Sequence, residues 1–208
     1  MKKYDIAIIG GGASGLACAV ALAENSNLNI AILEAGERIG KKLASTGNGQ
    51  GNVGNLDLKG EHYFGGNTAL VEKIACGNPN AYERIFDCLF SADEKGRIYP
   101  AGRQASALCD NLLRKLSGKV EILLSSPVKN IEKGFVITTQ DCEISADYTV
   151  ICTGGNAQPV AKGVSPYALA EKLGHTHTQL YPSLVQIKTD TAPIKTLRGI
   201  RADCKLSA

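Results

Sequence analysis

The 208-residue chain has no CxxC pair, no apolar run approaching the length of a membrane span and no cluster of basic residues. Each absence excludes a class of protein. The seven cysteines, Cys18, Cys76, Cys88, Cys109, Cys142, Cys152 and Cys204, are odd in number and mostly sit in apolar patterns, where a thiol acts as a small hydrophobe. A disulfide framework and a redox-active dithiol are both disfavoured, and a reducing compartment is expected. A transmembrane helix needs about 20 apolar residues, so no membrane span is expected. The 23 Lys and Arg residues are spread among 20 acidic ones, for a net charge of +3, which argues against a nucleic-acid partner. Met1-Lys2-Lys3 leads straight into an apolar run and leaves no room for a cleavable signal, so a cytoplasmic location is expected. His62 has no evident partner, and His175 and His177 read as alternation on an exposed strand. No metal site is expected.

What is present begins with Tyr4–Glu34. Tyr4-Asp5-Ile6-Ala7-Ile8-Ile9 is a short β-branched run of the kind that forms a buried parallel strand. It breaks at Gly10-Gly11-Gly12-Ala13-Ser14-Gly15 and passes into an alanine-rich segment with good helix propensity. A second apolar run, Asn29–Leu33, ends in Glu34. Strand, glycine turn, helix, strand and acid in that order form the βαβ dinucleotide fingerprint. Gly10 permits the turn, Gly12 lets a pyrophosphate approach the helix N-terminus, and Gly15 allows close packing. Glu34 stands where it can accept hydrogen bonds from ribose hydroxyls. The bland reading is a βαβ unit whose glycines serve packing alone.

Beyond Glu34, the basic residues Arg38, Lys41 and Lys42 precede a polar loop, Ala44–Asn55, rich in glycine and asparagine. Such a loop offers backbone N–H groups to a cofactor, or is a plain connector. Helices are predicted over Thr68–Ala75, Ala81–Leu89, Gln104–Ser117 and Tyr167–Leu173, with Gly118 and Gly174 as stops. Predicted strands are Val120–Leu124, Val128–Glu132, Phe135–Thr139 and Tyr148–Thr153, residues 127–144 making a small antiparallel meander. Leu184–Lys188 and Gly199–Leu206 read as further strands. The expected fold class is α/β: a Rossmann-like domain over 1–182, a parallel sheet with helices and the meander, then the start of a β-rich domain over 183–208. The chain reads as incomplete relative to that fold.

Five blocks, 8–23, 40–52, 96–113, 148–159 and 167–187, together resemble the HI0933-like flavoproteins of the glutathione-reductase-like superfamily. That resemblance implies FAD, bound extended, with its adenosine half on the first βαβ unit. It implies that Ala35, Arg38, Lys42, Ser45, Gly47, Asn48 and Gly49 follow the phosphates towards the flavin. It further implies a backbone contact to adenine at Val128 and a crossing over the cofactor at Thr153-Gly154-Gly155. The sequence departs from the family where Gln50 and Gly51 stand in place of an arginine and a cysteine, and a neutral amide cannot replace a bidentate guanidinium. The segment Val160–Pro166 also lacks the family's glycine and threonine pattern.

The leading expectation is a flavin-dependent oxidoreductase acting on a small-molecule substrate, with NAD(P)H as a candidate electron donor. No side chain stands out as a catalytic acid or base, and Tyr99 and Gln104 read as structural. Two other readings stay open: an NAD-binding oxidoreductase, and a truncated chain that binds nucleotide without catalysis.

Overall fold

A computed structural model describes residues 1–155, 166–181, 190 and 192–197. In chain order its elements are β1 (Lys2–Ile9), α1 (Ala13–Asn25), β2 (Ile30–Leu33), α2 (Lys41–Ala44), β3 (Gly54–Asn55), α3 (Thr68–Gly77) and α4 (Ala81–Phe86). There follow β4 (Phe90–Ala92), β5 (Arg97–Pro100), α5 (Ala105–Leu116), β6 (Val120–Leu123), β7 (Asn130–Ile131), β8 (Val136–Thr138), β9 (Glu143–Ile151) and α6 (Pro166–Lys172). The chain divides into two units, Met1–His177 and Thr178–Ala208. In the second, a 3-10 turn spans Ala192–Leu197, and Asp190 Oδ1 accepts the N–H of Ala192. The strands predicted over Leu184–Lys188 and Gly199–Leu206, and residues 160–165, lie outside the described residues.

The first unit is built on a six-stranded sheet in the order β6-β2-β1-β9-β8-β7. The first four strands are parallel, with Ile6 opposite Ile30, Ile32 opposite Ile122 and Ile8 opposite Val150. The predicted βαβ unit is therefore formed, and β1 is central because both its faces carry apolar side chains. On one face, Ile6, Ile8, Ile30 and Ile32 pack with Leu16 and Val20 of α1 and with Leu108, Leu112 and Leu116 of α5. On the other, Ala7, Ile9, Ala31 and Leu33 meet Val128, Ile131, Ile137 and Ile144 of the meander and Leu169 of α6.

The alternation of β1 reverses at Asp5, so Tyr4 shares the second face with Ala7 and Ile9. The N–H groups of Asp5 and Ile6 both donate to the Asn29 carbonyl, and the pairing with β9 leaves out Asp5 and Asp147 together, with the same register on either side. The predicted meander appears as antiparallel β7, β8 and β9.

Three expectations need correction. The helix predicted over Ala81–Leu89 stops at Phe86, because Asp87 takes a left-handed backbone and donates its N–H to Glu83; Leu89 is left exposed. Val128 precedes β7 rather than lying in a strand, although its side chain is buried as a strand residue's would be. The strand predicted over Tyr148–Thr153, which its apolar run marks as buried, begins and ends earlier, as β9 over Glu143–Ile151, and is only partly covered. Tyr148 is 69% exposed, and β8 pairs with β9 only over Glu143–Ser145.

Candidate dinucleotide site

The turn between β1 and α1 is shaped by its neighbours. Gly10 has φ +106°, and a Cβ there would stand 2.5 Å from the Cys152 carbonyl oxygen, because the end of β9 runs alongside. A Cβ on Gly15 would collide with the Gly10 carbonyl oxygen, so the first turn of α1 rests directly on the glycine turn. Gly12 is different in kind. Nothing lies within 4 Å of its Cβ position, and it is the N-cap of α1 with no side-chain cap. Ala13 and Ser14 beside it are exposed. Uncapped N–H groups, the positive end of a 13-residue helix and open space over a missing Cβ make a cradle that fits a pyrophosphate.

Glu34 closes one side. Its Oε2 accepts the Gly11 N–H and its Oε1 accepts the Gly36 N–H, each at 2.8 Å. Its backbone is fixed by bonds to Leu123 and Ser126. A carboxylate offers about four lone-pair sites, so two remain for ribose hydroxyls. Gly40 donates to the Gly11 carbonyl at 2.8 Å, which ties the start of the second loop to the first.

That second loop is more regular than its composition suggests. Lys41–Ala44 form a turn of helix, and a 3-10 turn follows at Thr46–Gly49, with Gly47 and Asn48 both left-handed. Ser45 Oγ donates to the Lys42 carbonyl. The Lys42 ammonium stands 2.9 Å from where a Cβ on Gly154 would be, so the loop and the turn after β9 meet. Gly155 lies next to the Tyr167 hydroxyl, and Thr153 is half-buried. Arg38 and Lys41 are exposed and form no ion pair among the described residues. Burial, aided by the charge of Asp110, pushes the Cys109 thiol up, and the charge of Arg38 opposes that shift. Ala35 is half-buried, Gly49 is exposed, and Val128 belongs to the apolar cluster on the second face of the sheet.

The structure thus joins Gly10, Gly12, Gly15 and Glu34 at one end and Lys42 with Gly154 at the other. Sequence reading missed Gly11, Gly36 and Gly40, whose part is played by backbone N–H and carbonyl groups that no side-chain type announces. It also missed Arg103. The departure at position 50 leaves Gln50 Oε1 accepting from Arg103 Nη1 at 3.1 Å, and that guanidinium lies over the Tyr99 ring.

The histidines differ from expectation. His62 has a partner: Asp57 Oδ2 is 2.9 Å from its Nε2, brought there by the 3-10 turn Gly60–His62, and this bond holds the Asp57 carboxyl below its ordinary range. Glu61 completes an exposed group whose ligand atoms lie within 4.8 Å of one another, but Lys59 already stands 4.0 Å from both carboxylates. His175 and His177 follow α6 in irregular structure rather than a strand; His177 contacts Glu171 and the Tyr167 ring.

A parallel βαβ unit with an open glycine cradle, continued by a fourth parallel strand and an antiparallel meander, defines a protein of the Rossmann-like α/β class. The chain belongs to the HI0933-like family, matching the HI0933-like protein Rossmann domain over residues 4–204. It is 34% identical over 212 residues to a 3-dehydro-bile acid delta(4,6)-reductase of Clostridium scindens, covering 98% of this chain and 52% of the relative. It is 28% identical over 193 residues to a ribosomal RNA dihydrouridine synthase of Haemophilus influenzae, covering 84% and 46%. The chain therefore spans about half the length of these relatives. Among solved structures, glycine oxidase from Geobacillus kaustophilus aligns with a TM-score of 0.54 at 17% identity, over 85% of this chain and 60% of that one. Thermovibrio ammonificans THI4 aligns with a TM-score of 0.52 at 18% identity, over 84% and 64%. These two likenesses speak for the fold. No described helix is long and apolar enough to cross a membrane.

Proposed function

We propose that this chain binds FAD and serves a flavin-dependent oxidoreductase that passes a hydride to a small organic substrate. The observation that carries this reading is the meeting of Lys42 with Gly154. A βαβ unit that holds NAD alone needs only its glycine turn and acid. Here a second loop and the turn after a fourth parallel strand extend the cradle, as a longer dinucleotide requires. FAD, when bound, supplies two-electron chemistry, while the protein supplies binding, orientation and electrostatics.

In this reading Gly10, Gly12, Ala13, Ser14 and Gly15 receive the pyrophosphate at the α1 N-terminus, and Glu34 and Ala35 receive the ribose. Arg38, Lys42, Ser45, Gly47, Asn48 and Gly49 carry the site onward, Thr153, Gly154 and Gly155 close it, and Val128 supplies a backbone contact to adenine. The names of both relatives describe the addition of hydrogen to a substrate, which supports reduction as the direction; NAD(P)H is the electron donor proposed with it. The dispersed charge favours a small molecule over RNA as substrate.

The test is the absorbance spectrum of the purified chain after addition of FAD and desalting. A retained flavin band, lost in Glu34→Ala, is the expected result. Colourless protein whose melting temperature rises with NAD would overturn it in favour of a nicotinamide site.

A further inference from the structure

Arg103 lies just ahead of α5 in a left-handed backbone, φ +48°, which a residue with a Cβ rarely adopts without a reason. Its guanidinium is held from two sides. The Tyr99 ring lies 4.5 Å from its central carbon, and one N–H is given to Gln50 Oε1. Arg103 has no ion pair among the described residues, so its charge and its other N–H groups are uncommitted there. Its neighbours are also short of negative charge: α5 has no side-chain N-cap and no acidic residue in its first turn. The left-handed loop is seated on that turn, since a Cβ on Gly51 would lie 3.1 Å from the Ala105 Cα. A fixed guanidinium, a positive helix end and a loop of left-handed residues therefore converge at one place.

We propose that Arg103 is a cofactor-binding residue, taking acceptor oxygens of the part of FAD that lies beyond the adenosine half. The inference rests on the FAD reading above. Contacts step along the loop away from the adenosine end: Gly40 is bonded to Gly11, Lys42 meets Gly154, and Gly51 rests on α5 beside Arg103. Tyr99 and Gln50 are positioning residues that fix the plane of the guanidinium and leave its remaining donors free.

The experiment is calorimetric titration of the 208-residue chain with FAD and, separately, with ADP, for wild type, Arg103→Gln and Arg103→Lys. Arg103→Gln is expected to weaken FAD binding roughly tenfold and leave ADP unchanged, the loss expected for one charged hydrogen bond. Arg103→Lys recovers part of it, because the ammonium restores a charged donor without the fixed plane of the guanidinium. Unchanged FAD affinity in Arg103→Gln overturns the inference alone. Equal losses for FAD and ADP also overturn it, because they mean that Arg103 only supports the fold. A wild-type chain that takes ADP but not FAD, or neither, overturns the FAD reading and this inference with it.

Discussion

Helices α3 and α5 have similar length and an apolar stripe each, yet only one of them is buried. In α5, Ala105, Leu108, Cys109, Leu112 and Leu116 are closed into the core between α1, α2 and the sheet. In α3 no residue is buried: Leu70, Val71 and Ile74 stand exposed, and Phe64 just ahead of it is 94% exposed. Helix α3 is held by local devices, chiefly the Asn67 side chain accepting the Leu70 N–H. Amphipathic pattern makes a helix possible; burial depends on whether another element arrives to cover it.

That contrast can be broken by mutation. Leu112→Ala, at a fully buried position, should cost about 2–5 kcal/mol in a urea titration, the range for a cavity in a packed core. Gly15→Ala, which forces a methyl against the Gly10 carbonyl, should cost about 1–3 kcal/mol and also abolish FAD retention, read on the same desalted sample. A smaller effect is expected at the far end of the sheet. There Lys2 and the Tyr4 hydroxyl donate to Glu121 and hold its carboxyl below the ordinary glutamate range. A depressed folded pKa gives stability that is present above the unfolded value of about 4.3 and lost as pH falls through the folded one. The urea midpoint should fall on acidification through that window, and less steeply in Glu121→Gln. Ile74→Ala on α3 should stay within about 0.5 kcal/mol of wild type. A loss there as large as that of Leu112→Ala would mean that the α3 face is covered in solution.

The fingerprint was legible because its chemistry depends on residue type at close spacing. The order Gly10, Gly12, Gly15 and then Glu34 between two β-branched runs specifies a turn, a cradle and an acid without any distant contact. The stripe Leu108, Leu112 and Leu116 was legible for the same reason. Leu89 was misread because periodicity continued past a helix that Asp87 had already ended, and a left-handed backbone at a non-glycine leaves no pattern in the text. His62 lacked an evident partner because the bond to Asp57 depends on a 3-10 turn between them.

The sequence by itself determined the βαβ unit, the antiparallel meander and the class of ligand, since these follow from local propensity and from the spacing of glycine and glutamate. Only the tertiary structure decided that Lys42 meets Gly154, that Gln50 is answered by Arg103 over Tyr99, and that Glu34 binds the N–H groups of two separate loops. The physical reason is the parallel sheet. Its crossovers bring the ends of β1, β2 and β9 side by side, so residues far apart in the chain become neighbours through strand order rather than through spacing.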